Sequence, residues 1–239
     1  MILQLRPRPM LEAADLGVRL VQSQARMLVR TWLPLIAVVA LILAPLLAIS
    51  SWLPWVILFM LKPWLDRSLI FVLSRVVFGQ TSHFADLWAA RASVFSLKAL
   101  PKSLTERRLS PWRSYTQAAE QLEGQSGRAL RQRKKQLLSG KHGAVAGMQM
   151  AFSTLEFLCY FGPIMLLVLL APQGMGSQVW EWLIRESTLV SNSLTYFFFA
   201  AAIAFVEPFF VASGFAMYLN RRVELEAWDV EQEFRLGFA

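Results

Sequence analysis

The sequence predicts an all-α integral membrane protein, a bundle of four transmembrane helices with a helical cytoplasmic insertion. Of the 239 residues, 56% are hydrophobic and only 17% are charged, which is a more apolar balance than soluble domains have. The apolar residues form blocks rather than a regular helical spacing. Blocks of about 20 apolar residues are what a hydrocarbon core about 30 Å thick requires of a helix. The blocks therefore predict a single membrane domain.

Segment 1–31 precedes the first apolar block and is predicted to form a cytoplasmic amphipathic helix. Apolar residues recur at spacings of three and four from Leu11 through Ala14, Val18, Val21 and Ala25 to Leu28, which favours a helix over 10–30. We expect it to lie on the inner leaflet, the alternative being a helix that binds a partner. The side chains expected to contact lipid phosphates are those of Arg19, Arg26, Arg30 and, close to the cytoplasmic end of the second span, Arg75.

The apolar run 32–78 is divided near 50–54, where Ser, Pro and Trp are typical of a turn at the interface. Two spans are therefore predicted, the second kinked at Pro63. The alternative is one span, 33–61, followed by a surface helix. The four predicted spans are 33–50, 53–78, 144–171 and 191–219, all within a membrane domain 32–239.

The distribution of charge predicts how the spans are oriented. The chain has 24 Lys and Arg against 16 acidic residues, a net charge of +8, and many of the basic residues lie in the loop 80–143. Two crossings before this loop place it on the same side as the arginine-bearing N-terminus, as the positive-inside rule prefers. Both termini are then cytoplasmic. Because the basic residues flank apolar spans, we expect them to meet membrane lipids and not nucleic acid. Within the loop, 115–139 is predicted to be helical.

Three predicted spans carry charges inside the apolar region. At about 1.5 Å per residue, Lys62, Glu156 and Glu207 all fall near the bilayer midplane. Asp66 and Arg67 lie one turn closer to the cytoplasm, and Lys62 and Asp66 are spaced as a same-face pair. Charges in hydrocarbon need partners, water or a function. These residues therefore predict either a buried ion-pair cluster that fixes the helices or a binding site for a headgroup, a proton or a small solute.

No catalytic residue, metal or cofactor is predicted. The chain lacks the GxSxG, HExxH and phosphate-loop patterns, and its one cysteine and two separated histidines do not make a zinc-ligand set. An intramembrane hydrolase built from Lys62, Asp66 and Ser74 is a third hypothesis, but nothing in the spacing of these residues is specific to it.

The cytoplasmic tail 220–239 is acidic, with Glu224, Glu226, Glu231 and Glu233, and we expect it to dock on the basic helix at 128–135. Part of the tail belongs to a set of short motifs that resemble a family of uncharacterised bacterial multi-span inner-membrane proteins. That family is distantly like the membrane domain associated with glycerophosphodiester phosphodiesterases. The motifs are 61–67 (LKPWLDR), 73–79 (LSRVVFG), 121–124 (QLEG), 207–209 (EPF) and 218–235 (YLNRRVELEAWDVEQEFR).

The resemblance implies a non-catalytic helical domain in the bacterial inner membrane and brings no catalytic residues with it. The phosphodiesterase barrel has no counterpart here, so that activity is not expected. The leading functional hypothesis is a scaffold or assembly protein that presents the basic loop and acidic tail to protein partners. The alternative is a small transporter or lipid-binding protein that uses Lys62, Asp66, Glu156 and Glu207. The sequence leaves the identity of the partners and any oligomerisation open.

Overall fold

The computed structural model describes residues 8–95, 110–172, 174–186 and 188–226, and all regular secondary structure in these ranges is helical. The all-α prediction is confirmed for this part of the chain. A 3-10 segment, Ala44–Ala48, directly follows the second helix. The helices are α1 (Met10–Ser23), α2 (Ala25–Leu43), α3 (Leu53–Val77), α4 (Phe84–Ala89), α5 (Arg91–Val94), α6 (Arg113–Glu123), α7 (Gly127–Leu138), α8 (His142–Leu169), α9 (Gly176–Ile184) and α10 (Leu189–Glu226).

Within the described ranges, three helices are long and apolar enough to cross a membrane. They are α2 with its 3-10 extension, α8 and α10. Helix α3 has 25 residues, but Lys62, Asp66 and Arg67 lie close together in it, so it does not join this set. Pro63 lies inside α3, which is helical throughout from Leu53 to Val77. The chain therefore has the helices of a membrane protein, and the crossing of α3 is a separate question.

Helix α10 is the centre of the bundle. Its 38 residues extend for about 57 Å at 1.5 Å per residue, and every residue from 210 to 220 is buried. Helix α1 runs antiparallel to this buried stretch, since the Asn220 amide bonds the Arg8 backbone and Ser213 donates to the Ala14 carbonyl at 3.1 Å. Helix α2 continues along α10, where the Trp32 indole donates to the Ala204 carbonyl at 3.0 Å.

The N-terminal segment differs from its prediction in boundary and in face. The first helix ends at Ser23 and α2 begins at Ala25, so the predicted boundary at residue 31 lies inside α2. The buried side of α1 is formed by Met10, Ala13, Ala14, Gly17, Leu20 and Val21. Leu11, assigned to the apolar stripe, is 60% exposed. Gly17 sets the register, because its missing side chain lets the α1 backbone approach Ala212 and Ser213.

Within the insertion between α3 and α8, two helices, α6 and α7, are found where the sequence predicted one over 115–139. The chain breaks at Gly124, which has a φ of +62° that favours glycine and ends α6. Residues 113–119 of α6 are all buried, although this stretch is polar, because the helix packs between α3 and α10. The Tyr115 hydroxyl donates to the Leu137 carbonyl of α7 at 2.8 Å. Residues 96–109 of the predicted loop lie outside the described ranges.

Candidate functional site

Lys62 is the meeting point of three helices. Its ammonium nitrogen lies 2.6 Å from Glu156 Oε2 of α8 and 2.6 Å from Glu207 Oε2 of α10. Lys62 and Glu207 are each 1% exposed, so solvent does not compensate either charge. The sequence placed these three charges at a similar depth on different helices, and the structure brings them together.

Arg113 is the functional residue that the sequence analysis missed. Arg113 is the first residue of α6. Its guanidinium forms an ion pair with Glu207, and its Nε lies 3.5 Å from Asp66 Oδ2. The guanidinium also lies 4.9 Å from the centre of the Phe210 ring, a cation–π geometry. The sequence analysis counted Arg67 as the second cation of the cluster, and the need for another cation follows only once Arg67 is seen to bond Val94 instead. Nothing in the local spacing of the loop points to Arg113 in particular.

Lys62, Asp66, Arg113, Glu156 and Glu207 together are called the charge cluster below. It contains three carboxyl groups and two cations, so it carries a net charge of −1 when every group is ionised. Asp66 is fully buried, and neither of its oxygens receives a hydrogen bond from a donor among the described residues. An ionised buried carboxylate without a hydrogen-bond donor is costly. The uncompensated negative charge of the cluster therefore falls on Asp66 and its neighbour Glu207.

Two predicted relationships are not found in the charge cluster. Lys62 and Asp66 form no ion pair within 4 Å, because the Lys62 ammonium is drawn to the two glutamates. Arg67 points elsewhere, donating from Nε to the Val94 carbonyl at 2.5 Å. It thus attaches the short helix α5 to α3 and takes no part in the cluster.

The charge cluster lies where the apolar helices α8 and α10 meet α3 and the insertion helix α6. Trp32, in the second turn of α2, is level with Ala204 of α10. Glu207 is three residues farther toward the C-terminal end of α10, so relative to α2 it lies close to the start of the candidate span and not at its centre. This position explains how Arg113, which belongs to the insertion, reaches a charge inside the bundle.

The four arginines predicted to meet lipid phosphate have different surroundings. Arg19, Arg26 and Arg30 are exposed, and none has an ion-pair partner among the described residues. Arg75 lies 4.4 Å from the centre of the Phe71 ring, and its NH1 is 3.9 Å from Asp86 Oδ2. Arg75 is therefore partly neutralised by its own chain, whereas the other three are available to an anion.

The described part of the acidic tail pairs with the basic insertion, as predicted. Arg133 of α7 forms ion pairs with Glu226 and with Glu123, whose Oε2 lies 2.8 Å from Arg133 Nε. Lys141 lies 3.2 Å from Glu224. The hydrogen bonds that Arg133 donates to the Glu123 carboxylate raise the pKa of Arg133 above its ordinary value. The predicted contributions of Glu231 and Glu233 fall on residues 227–239, outside the described ranges.

One side of α7 carries no such partners. Arg128, Arg131 and Lys135 are spaced by three and four residues, which places them on one helical face. All three are exposed, and none has an ion-pair partner among the described residues. These three residues are called the basic face of α7 below.

The geometry offers no support to the hydrolase hypothesis. Ser74 donates its hydroxyl to the Phe71 carbonyl at 2.8 Å and lies twelve residues beyond Lys62, about 18 Å along α3. Over the described ranges, no three His, Cys, Asp or Glu side chains form a group that could hold a metal ion.

Comparisons of this chain with protein-family models, with curated proteins and with solved structures return no match. The family resemblance and the function therefore rest on the residues and their geometry.

Proposed function

We propose that this protein is a non-catalytic scaffold of the bacterial inner membrane that holds a rigid basic surface at the cytoplasmic side. The charge cluster is the observation that supports it. Arg113 of the insertion is joined through Glu207 and Lys62 to α10, α3 and α8, so the insertion and the membrane helices form one unit. A fixed insertion presents the basic face of α7 at a constant position, which is what a partner with an acidic surface requires.

Four crossings, with α3 as the second, are part of this proposal. Arg8 and Asn220 hydrogen-bond each other at 2.9 Å, and Arg133 pairs with Glu226. The start of α1, the insertion and the end of α10 therefore lie at one end of the molecule. Three crossings would separate residues 8 and 220 by the thickness of a bilayer, about 30 Å, so the contacts favour an even number.

The test is photo-crosslinking in intact cells with a photoreactive residue at Gln132, next to the basic face of α7. We expect an adduct with a protein that disappears when Arg128, Arg131 and Lys135 are all changed to Gln. The matched control is Arg19→Gln with Arg91→Gln, which removes exposed basic residues from other helices. If Gln132 gives only lipid adducts, or if the adduct persists in the triple variant, the scaffold proposal fails.

Proton binding by the charge cluster is a second candidate function, and the unequal numbers of carboxyl groups and cations favour it. One proton shared by Asp66 and Glu207 makes the cluster neutral and gives the buried Asp66 carboxyl a hydrogen bond. A neutral cluster avoids the cost of an uncompensated charge in a region of low dielectric. A transporter or a sensor that uses a proton needs such a site.

A further inference from the structure

A cavity with several polar side chains in its lining lies where α1 ends, α2 begins and the chain leaves α3. Its volume is about 820 Å³, large enough for a lipid headgroup. Its depth matches the membrane surface, since the candidate span begins at Ala25. None of the described residues that line the cavity is acidic. The residues of this headgroup cavity that bear on the argument are Gln22, Gln24, Arg26, Arg30, Ser82 and His83.

Two cations and an unsatisfied hydroxyl give the headgroup cavity its chemistry. Arg26 and Arg30 are four residues apart, so both guanidinium groups project from one side of α2. They are exposed and lack ion-pair partners among the described residues. Ser82 is 1% exposed, and its hydroxyl has no hydrogen-bond partner among the described residues. Two guanidinium groups and a hydroxyl donor suit a phosphate, for which Arg provides paired hydrogen bonds.

A separate apolar groove of about 670 Å³ lies along α2 and α10, and its lining on α2 starts at Val29, next to Arg30 of the headgroup cavity. On α2, Leu33 and Ala37 follow Arg26 and Arg30 on the same helical stripe, at spacings of three and four residues. On α10, Ala201 and Ala204 keep the groove open because their side chains are small. Its walls are almost entirely apolar, which suits an acyl chain and excludes a polar ligand.

We propose that the headgroup cavity and the groove together bind one anionic phospholipid. Its phosphate pairs with Arg26 and Arg30, its polar headgroup accepts a hydrogen bond from Ser82, and one acyl chain lies between α2 and α10. The selectivity has a direct cause. The ammonium group of a zwitterionic lipid meets two arginines and no carboxylate among the described residues that line the cavity, so it is repelled, whereas a headgroup with net negative charge is not. This site is separate from the charge cluster and does not depend on the scaffold proposal.

The test is native mass spectrometry of the full chain in mild detergent, titrated with phosphatidylglycerol and with phosphatidylcholine of the same acyl chains. We expect one retained phosphatidylglycerol and no retained phosphatidylcholine. Arg26→Gln with Arg30→Gln is expected to weaken phosphatidylglycerol binding at least about tenfold, since each basic residue near anionic lipid contributes about 1 kcal/mol. Arg128→Gln with Arg131→Gln removes the same charge from α7 and is expected to leave the affinity unchanged.

The groove is tested separately with Ala201→Leu, which fills it without touching the arginines. We expect this variant to bind phosphatidylglycerol more weakly while its thermal stability in detergent is retained. Equal retention of the two lipids, or equal loss in the two arginine double variants, overturns the proposal. The proposal is also overturned if inorganic phosphate stabilises the protein as much as phosphatidylglycerol does, because the site then binds free phosphate. A second copy of the chain bound in place of lipid, and lost in Ala201→Leu, also overturns it.

Discussion

Arg113 and Asp66 show how single side chains determine the properties of the charge cluster. Arg113 neutralises Glu207 from one side while Lys62 does so from the other, and all three are buried. Asp66 has only a longer contact, 3.5 Å, with Arg113. Substitution of each residue therefore has a different expected cost, although all lie within one cluster.

Arg113→Gln is expected to lower the free energy of unfolding by about 3–5 kcal/mol, because it leaves a buried carboxylate without one of its two cations. The control is Arg128→Gln, an exposed residue of α7, expected to change stability by about 0.5 kcal/mol or less. Thermal and denaturant unfolding in mixed micelles measure both. Equal stability of the two variants would mean that Arg113 does not compensate the cluster.

The Asp66→Asn variant distinguishes a cluster that holds one shared proton from a cluster that is fully ionised. If Asp66 and Glu207 hold one proton, the neutral amide replaces a neutral acid, and we expect a loss of about 1 kcal/mol or less. Glu207→Gln, which removes the partner of both Lys62 and Arg113, is expected to cost about 3–5 kcal/mol. The same unfolding measurements at neutral pH report both. A loss in Asp66→Asn as large as that in Glu207→Gln would contradict the shared proton.

At the scale of the elements, the fold depends on two helices that approach α10 at glycines. Gly17 of α1 faces the backbone of Ala212 and Ser213, and Gly214 of α10 faces Ser114 of α6. These contacts explain why the polar insertion and the N-terminal helix are part of the bundle. In the structure α1 lies along the buried part of α10, with Glu12, Asp15 and Arg19 exposed on its other side.

Gly17→Ala is expected to destabilise the protein by about 1–3 kcal/mol, since the added methyl group would lie 2.6 Å from Ser213 Cα and backbone atoms cannot move aside cheaply. Gly147→Ala in α8 is the matched control. A methyl group there meets no atom within 4 Å, so helix propensity favours it by up to about 1 kcal/mol. Thermal unfolding of the two variants should therefore shift in opposite directions, and equal shifts would exclude close α1–α10 packing.

At the scale of the whole molecule, the described part of the chain has a membrane end, formed by the apolar helices, and an opposite end, formed by α6 and α7, which are joined at the charge cluster. The apolar groove lies toward the membrane end, and the basic face of α7 lies at the other. The headgroup cavity lies between them, close to where α2 begins. The orientation of the protein depends on whether α3 crosses the bilayer.

Cysteine labelling tests the crossing of α3. In a Cys159→Ala background, single cysteines replace the exposed residues Asp15 of α1, Gln132 of α7 and Ser177 of α9. With four crossings, a membrane-impermeant maleimide added to spheroplasts labels the cysteine at 177 directly and those at 15 and 132 only after permeabilisation. With three crossings the cysteines at 15 and 132 lie on opposite sides of the membrane, so that only one of them is labelled directly, which would contradict the four-span topology.

The sequence alone determined the class of structure and the core of the candidate site. Apolar blocks of bilayer length predict helices without reference to contacts, and charges inside such blocks must find each other because hydrocarbon does not solvate them. Lys62, Glu156 and Glu207 were therefore predictable as a group. The pairing of Glu224 and Glu226 with the basic insertion followed from the same argument of opposite charge.

Only the tertiary structure decided which further residues complete the site and which faces are buried. Arg113 lies 94 residues from Glu207, so no local spacing links them, and its polar helix resembles a surface helix until α3 and α10 enclose it. The buried face of α1 includes Gly17 because its missing side chain lets α1 approach the backbone of α10, and not because glycine is hydrophobic. Periodicity and charge are local properties of a chain, whereas close approach and charge balance depend on elements distant in sequence.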